Sequence, residues 1–247
     1  MDLFHLSLYI TFGILPSLIW LFYYLKKDLH PEPKRMIVKV FFAGMIVTVP
    51  VFICQLALAW ILDDLRGIPF FANFPFLLNL FKWFIVIAFT EELFKYVAVR
   101  LTALKSKEID EPLDIMLYMV VAALGFAALE NMFYLFSPLD ATFEAALQST
   151  ISISFIRFIG ATLLHALCSA LVGYFIVISY LRSEKRLSYT LMGITLATLL
   201  HGLYDFSIIT LSTPLNFIVP LTIVLGLFTF VVVDFDEVKK VKSICKL

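Results

Sequence analysis

Residues 113–136 read LDIMLYMVVAALGFAALENMFYLF, and no soluble amphipathic helix looks like this. Such a helix alternates an apolar stripe with a polar face. Here Asp114 and Glu130 are the only charged residues, so apolar side chains point in every direction. At the helical rise the stretch is about 36 Å long, enough to cross a hydrocarbon layer of about 30 Å. It is read as a transmembrane helix, with Glu130 and Asn131 carried into the membrane.

Similar stretches lie on both sides of it, at roughly 3 to 25, 37 to 62, 76 to 104, 149 to 181, 187 to 212 and 215 to 233. The chain is therefore expected to be all-α, a multi-pass membrane protein of about seven helices forming one transmembrane domain over residues 1–247. Ser212, Thr213 and Pro214 make the turn between the last two. The composition agrees: 62% of residues are hydrophobic and 15% charged, against about 45 to 50% and about 25% in soluble domains. Mean hydropathy is +0.97. Nineteen basic residues balance 19 acidic ones, which gives no reason to expect a nucleic-acid partner. Cys54, Cys168 and Cys245 form no CxxC spacing, so they are read as apolar fillers and neither a disulfide framework nor a thiolate metal site is expected. The run from Leu3 follows Met1 and Asp2 without a basic leader and counts as a span.

Basic residues fall on one side. Lys26, Lys27, Lys34 and Arg35 occupy the first connection, Lys105 and Lys107 the third, Arg182, Lys185 and Arg186 the fifth, and Lys239, Lys240, Lys242 and Lys246 the tail. Cytoplasmic loops are enriched in Lys and Arg, so the N-terminus is expected outside the cell membrane and the C-terminus in the cytoplasm. Two outer connections are not plain loops. Residues 67–76, GIPFFANFPF, are aromatic and proline-rich and are read as headgroup-level or re-entrant. Ser137 and Pro138, followed by Leu139, Phe143 and Leu147, are read as starting a short interfacial helix.

The informative residues are polar ones inside the spans. Each carboxylate or Lys at mid-membrane costs about 2.5 to 3.5 kcal/mol on the insertion scale, so such groups need partners. The third span carries Glu91, Glu92 and Lys95; the fourth Glu130 and Asn131; the fifth Arg157 and His165; the sixth His201 and Asp205. Counted from the cytoplasmic helix ends, Glu91, Glu130, His165, His201 and Asp205 lie about 13 to 18 residues deep, or roughly 20 to 27 Å. They share one level of the bilayer. Within helices, Lys95 lies i+4 from Glu91 and i+3 from Glu92, placed to neutralise one of the two. Asp205 lies i+4 from His201, placed to pin one imidazole nitrogen. Small residues Ala166, Ser169, Ala170 and Gly173 beside His165 permit close helix approach. Arg157 is read as a pairing or snorkelling residue, and Lys82 and Arg100 as anchors near the span ends.

The EExxK of Glu91, Glu92 and Lys95, the FxxxEN of Phe126, Glu130 and Asn131, the isolated His165 and the HxxxD of His201 and Asp205 resemble the PrsW intramembrane proteases. That family sits in a wider superfamily with type II CAAX prenyl proteases and bacteriocin-processing membrane proteins. The resemblance covers residues 76–205, in spans 3 to 6. It implies a glutamate-dependent peptide hydrolase without a metal cofactor, whose substrate is a membrane-spanning anti-sigma factor cut on its extracytoplasmic side. Lys95 and Glu130 depart from the prenyl-protease pattern, which argues against prenylated substrates.

From the residues themselves, Glu91 is the expected general base, with Glu92 or Glu130 completing a water site, His165 or His201 with Asn131 as oxyanion donors, and Lys95 balancing charge. Two other readings stay open. Two His and a Glu in one layer suit zinc, although no HExxH is present. Intramembrane carboxylates also serve transporters or scaffolds that bind protons or cations.

Overall fold

A computed structural model describes residues 3–28, 30–136 and 143–238. No strand occurs among them. The long helices are α1 (Leu3–Leu25), α2 (Lys34–Leu65), α6 (Pro112–Phe136), α8 (Ala161–Leu181), α9 (Arg186–Thr210) and α10 (Leu215–Val238). Between α2 and α6 come two short helices, α3 (Pro69–Ala72) and α4 (Pro75–Leu80), then a π-helical stretch Phe81–Phe89 and α5 (Thr90–Thr102). Helix α7 (Phe143–Ile159) precedes α8. The protein is an all-α, multi-pass membrane protein, with six helical segments among the described residues long and apolar enough to cross the bilayer.

Two of the expected spans take a different form. The stretch expected at 76 to 104 is not one α-helix; α4, the π-helical stretch and α5 follow one another through Pro75–Thr102. Its apolar residues give way from Glu91 onward to Glu91, Glu92, Lys95 and Arg100, so α5 alone is too short and too charged to count as a span. The stretch expected at 149 to 181 is divided at Gly160 into α7 and α8. Gly160 has φ −104° and ψ −97°, outside the helical region. Tyr204 closes on it so tightly that a Cβ there would lie 2.5 Å from the phenol oxygen. Residues 137–142, including the Ser137–Pro138 start of the expected interfacial helix, and the basic tail from Lys239 lie outside the described residues.

Helix α6 is the axis of the bundle. Of its apolar stretch 94% is buried, against 28% for α1, α2 and α10, so α6 is sheathed by protein while those three face lipid with Phe22, Phe42, Trp60 and Leu221. It packs on α1, α2 and α8. At the α2–α6 crossing a Cβ on Gly44 would lie 1.9 Å from the Ala122 carbonyl oxygen, and one on Gly125 1.9 Å from that of Phe41. Backbone touches backbone there, as expected for helices associating where the hydrophobic effect gives no drive. Ala166, Ser169, Ala170 and Gly173 are likewise buried on α8. In the 67–76 connection, Pro69 and Pro75 open the first turns of α3 and α4, and Phe70, Phe74 and Phe76 stay exposed.

Candidate active site

Successive residues of a helix point about 100° apart, so Glu91 and Glu92 cannot face the same way. Glu92 turns inward and is fully buried. Its Oε1 accepts from Lys95 Nζ at 2.8 Å and from His201 Nδ1 at 2.8 Å, tying α5 to α9. Glu91 turns toward a cavity of about 460 Å³, also lined by Glu130, Arg157, His165, His201 and Asp205. All the polar residues expected at one level therefore meet around one space, with Glu92, Lys95 and Asn131 forming the layer behind it.

Hydrogen bonding assigns the tautomers. Lys95 Nζ, which has only hydrogens to offer, lies 2.7 Å from His165 Nδ1. That nitrogen accepts, and the ring proton is on Nε2, which donates to Glu130 Oε2 at 2.8 Å. Glu130 Oε2 also accepts from Arg157 Nη2 at 2.6 Å, while Arg157 Nε donates to Asn131 Oδ1 at 2.5 Å. The Asn131 amide hydrogens go to the Gly13 carbonyl, at 3.2 Å, and to Thr162 Oγ1, at 3.1 Å. Asn131 is thus spent on orienting Arg157 and joining α1, α6 and α8. The Phe126 ring lies against Lys95, with Nζ 4.7 Å from its centroid, which accounts for the aromatic in FxxxEN.

Glu91 is held differently. Its Oε1 accepts from Gln55 Nε2 at 3.1 Å. Its Oε2 is buried and has no hydrogen-bond partner, yet three nitrogens surround it: Lys95 Nζ at 3.7 Å, His201 Nε2 at 3.8 Å and His165 Nδ1 at 3.9 Å. These distances exceed hydrogen-bond range, so Oε2 is surrounded by three nitrogens and bonded to none. His201 Nε2 also faces Asp205 Oδ2 at 3.3 Å. An imidazole with carboxylates on both nitrogens is satisfied as an imidazolium or as a metal ligand.

The chemistry of the donors suits a metal. Glu91, His165 and His201 each offer one atom within 4.8 Å of the others, the His₂Glu set of catalytic zinc. Glu130 and Glu92 hold the far nitrogens of the two imidazoles at 2.8 Å, the contact that orients metal-ligating histidines. Lys95 on His165 Nδ1 and Asp205 on His201 Nε2 are the contacts that would have to yield.

One contributor, Gln55, has no counterpart among the residues singled out in the sequence, and another, Arg157, has a larger part than expected. Gln55 is a single amide in an apolar helix and offers no spacing signal. Arg157, read as a pairing residue, does pair, and its partner is a cavity carboxylate. Apart from these, Trp83 and Tyr204 line the cavity, and Trp83 is fixed by donating Nε1–H to Asn79 at 3.0 Å.

The family model described as "PrsW family intramembrane metalloprotease" matches residues 32–233. Protease PrsW of Bacillus subtilis (strain 168) is 26% identical over 237 residues, covering 95% of this chain and 96% of the relative. Protease PrsW of Halalkalibacterium halodurans is 28% identical, with 87% and 91% covered, and that of Clostridioides difficile (strain 630) is 30% identical, with 78% and 76% covered. No solved structure matches the chain at a significant level. A family match spanning nearly the whole bundle, on a fold that gathers the acids and imidazoles of four helices around one cavity, identifies the chain as an intramembrane protease belonging to the PrsW family.

Proposed function

We propose that the protein hydrolyses a peptide bond of a membrane-anchored protein substrate, using water activated by Glu91. The observation that carries this reading is the unpartnered Oε2 of Glu91, ringed by Lys95, His165 and His201 at 3.7 to 3.9 Å beside the cavity. A water held there donates one proton to Glu91 while its oxygen attacks the scissile carbonyl carbon. The resulting oxyanion is met by polar hydrogens from His201 and Arg157 at the cavity wall. Glu91 then passes its proton to the leaving nitrogen as the C–N bond breaks. Glu92 and Lys95 hold His201 and His165 in register, and Glu130, clamped by Arg157, completes the water site. Asp205 restrains His201 from the cavity side.

A specific observation favours a second form of the same reaction, the His₂Glu donor set. Glu91, His165 and His201 would hold the metal, which would polarise the carbonyl and acidify its bound water. The substrate is proposed to be a single-pass anti-sigma factor cut on the extracytoplasmic side, with the N-terminus outside and the C-terminus in the cytoplasm. Support for this comes from the family resemblance and from the one-sided basic loops.

The test is cleavage of a single-pass model substrate by purified wild type and Glu91→Gln, alongside metal analysis of the active preparation. General-base catalysis is worth roughly 100- to 10,000-fold, and a loss of that size is expected. Cleavage by Glu91→Gln at the wild-type rate overturns the role of Glu91. Full activity in metal-free protein assigns the chemistry to Glu91 alone; loss on chelation with recovery on adding zinc assigns it to the donor set.

A further inference from the structure

A second cavity, of about 350 Å³, lies where the C-terminal ends of α5 and α8 meet the N-terminus of α9. Arg100 near the end of α5, Lys105 from the turn after it and Arg186 from the start of α9 line it, and no Asp or Glu does. Among the described residues, neither Arg100 nor Lys105 has an ion-pair or hydrogen-bond partner. Arg186 is stacked on the Tyr180 ring, with Cζ 3.8 Å from its centroid, which fixes a planar donor fork at the groove. The N-terminus of α9 carries no side-chain cap from Lys185, and its dipole adds to the attraction for an anion.

Cations that merely anchor helix ends fan out toward water. These three line one cleft together with Leu187, exposed at 71%, while Leu101 and Leu181, exposed at 63% and 55%, directly follow its lining residues Arg100 and Tyr180 in the chain. An anionic head beside exposed leucines at the level of the helix ends is the pattern of a lipid in the headgroup layer. We infer that this groove binds the phosphate headgroup of an anionic phospholipid, its acyl chains lying along the exposed leucines. Neither the active-site chemistry nor the proposed substrate enters this inference.

The experiment uses the full chain purified in mild detergent and native mass spectrometry with added phosphatidylglycerol, phosphatidylcholine or inorganic phosphate. Phosphatidylglycerol is expected to be retained in preference to phosphatidylcholine and not displaced by inorganic phosphate. Removing both charges in Arg100→Gln/Arg186→Gln is expected to weaken retention roughly 30-fold. Leu187→Glu, at an exposed position that folding tolerates, is expected to weaken it as well by placing a carboxylate at the rim. Unchanged retention in both variants overturns the site. Equal retention of phosphatidylcholine by wild type overturns the choice of anionic lipid, and displacement by inorganic phosphate reassigns the groove to a water-soluble phosphoanion.

Discussion

His201 Nδ1 stands 2.8 Å from Glu92 Oε1, a bond between residues 109 positions apart that fixes α9 against α5. The same oxygen neutralises Lys95, also at 2.8 Å. Glu92→Gln therefore leaves a buried ammonium without its hydrogen-bonded counter-charge, with only Glu91 at 3.7 Å remaining, and breaking a buried pair costs up to about 3 to 5 kcal/mol. Thermal unfolding in detergent should show that loss. Adding Lys95→Met should recover most of it, since replacing both charges is far cheaper than orphaning one. Peptide cleavage should remain lost in both variants, because His165 and His201 have lost their fixed orientation. A stable, active Glu92→Gln enzyme would show that the pair is dispensable.

Arg157 reaches Glu130 through Nη2 and Asn131 through Nε. A lysine offers one point of charge and cannot span both. Arg157→Lys is expected to fold and still lose about 100-fold in kcat/KM, the scale of a misplaced catalytic group. Asn131→Ala should lose less, since it removes only the orienting contact. If Arg157→Lys cleaves a model substrate as well as wild type does, the fork is not required.

Glycine at the α2–α6 crossing is a packing requirement. Gly44→Ala and Gly125→Ala each drive a methyl into a carbonyl oxygen at 1.9 Å, forcing the helices apart at about 1 to 3 kcal/mol. Gly226 has nothing within 4 Å of its notional Cβ. Gly226→Ala is expected to be neutral or to stabilise α10 by up to about 1 kcal/mol. Unfolding midpoints of the three variants check the contrast.

The helical, membrane-spanning character was legible because apolar runs of 20 and more residues admit few other structures. The site was legible through cost: Glu91, Glu130, His165 and His201 stand out only because burying them in lipid is expensive. Facing directions were less plain. Adjacent acids point about 100° apart, so Glu91 faces the cavity and Glu92 the protein, and similarly Glu130 faces the cavity while Asn131 faces Gly13 and Thr162. Gln55 was invisible because one amide in a hydrophobic helix has no periodic partner. At the division at Gly160 the close neighbour is Tyr204 from another helix, a contact that no local pattern encodes.

Outside the spans, Glu32 provides a handle on pH. It lies buried between α1 and α2 and accepts a hydrogen bond from the Tyr118 hydroxyl. Burial raises its pKa above the ordinary glutamate value, helped by the nearby Asp28 and Asp110 carboxylates; the hydrogen bonds with Tyr118 and Asp114 pull the other way without overcoming it. The folded state thus holds this proton more tightly than the unfolded state does. Its contribution is complete below the unfolded value of about 4.3 and is lost as pH rises through the folded value. Glu32→Gln keeps an acceptor for Tyr118 and removes the titration. The stability of the variant relative to wild type should therefore increase as pH is raised from 4 toward neutrality, read as the difference between their unfolding midpoints. Because Glu32 is hydrogen-bonded to the Asp114 carboxyl, a difference independent of pH would mean that this pair of carboxyls titrates alike in the folded and unfolded states.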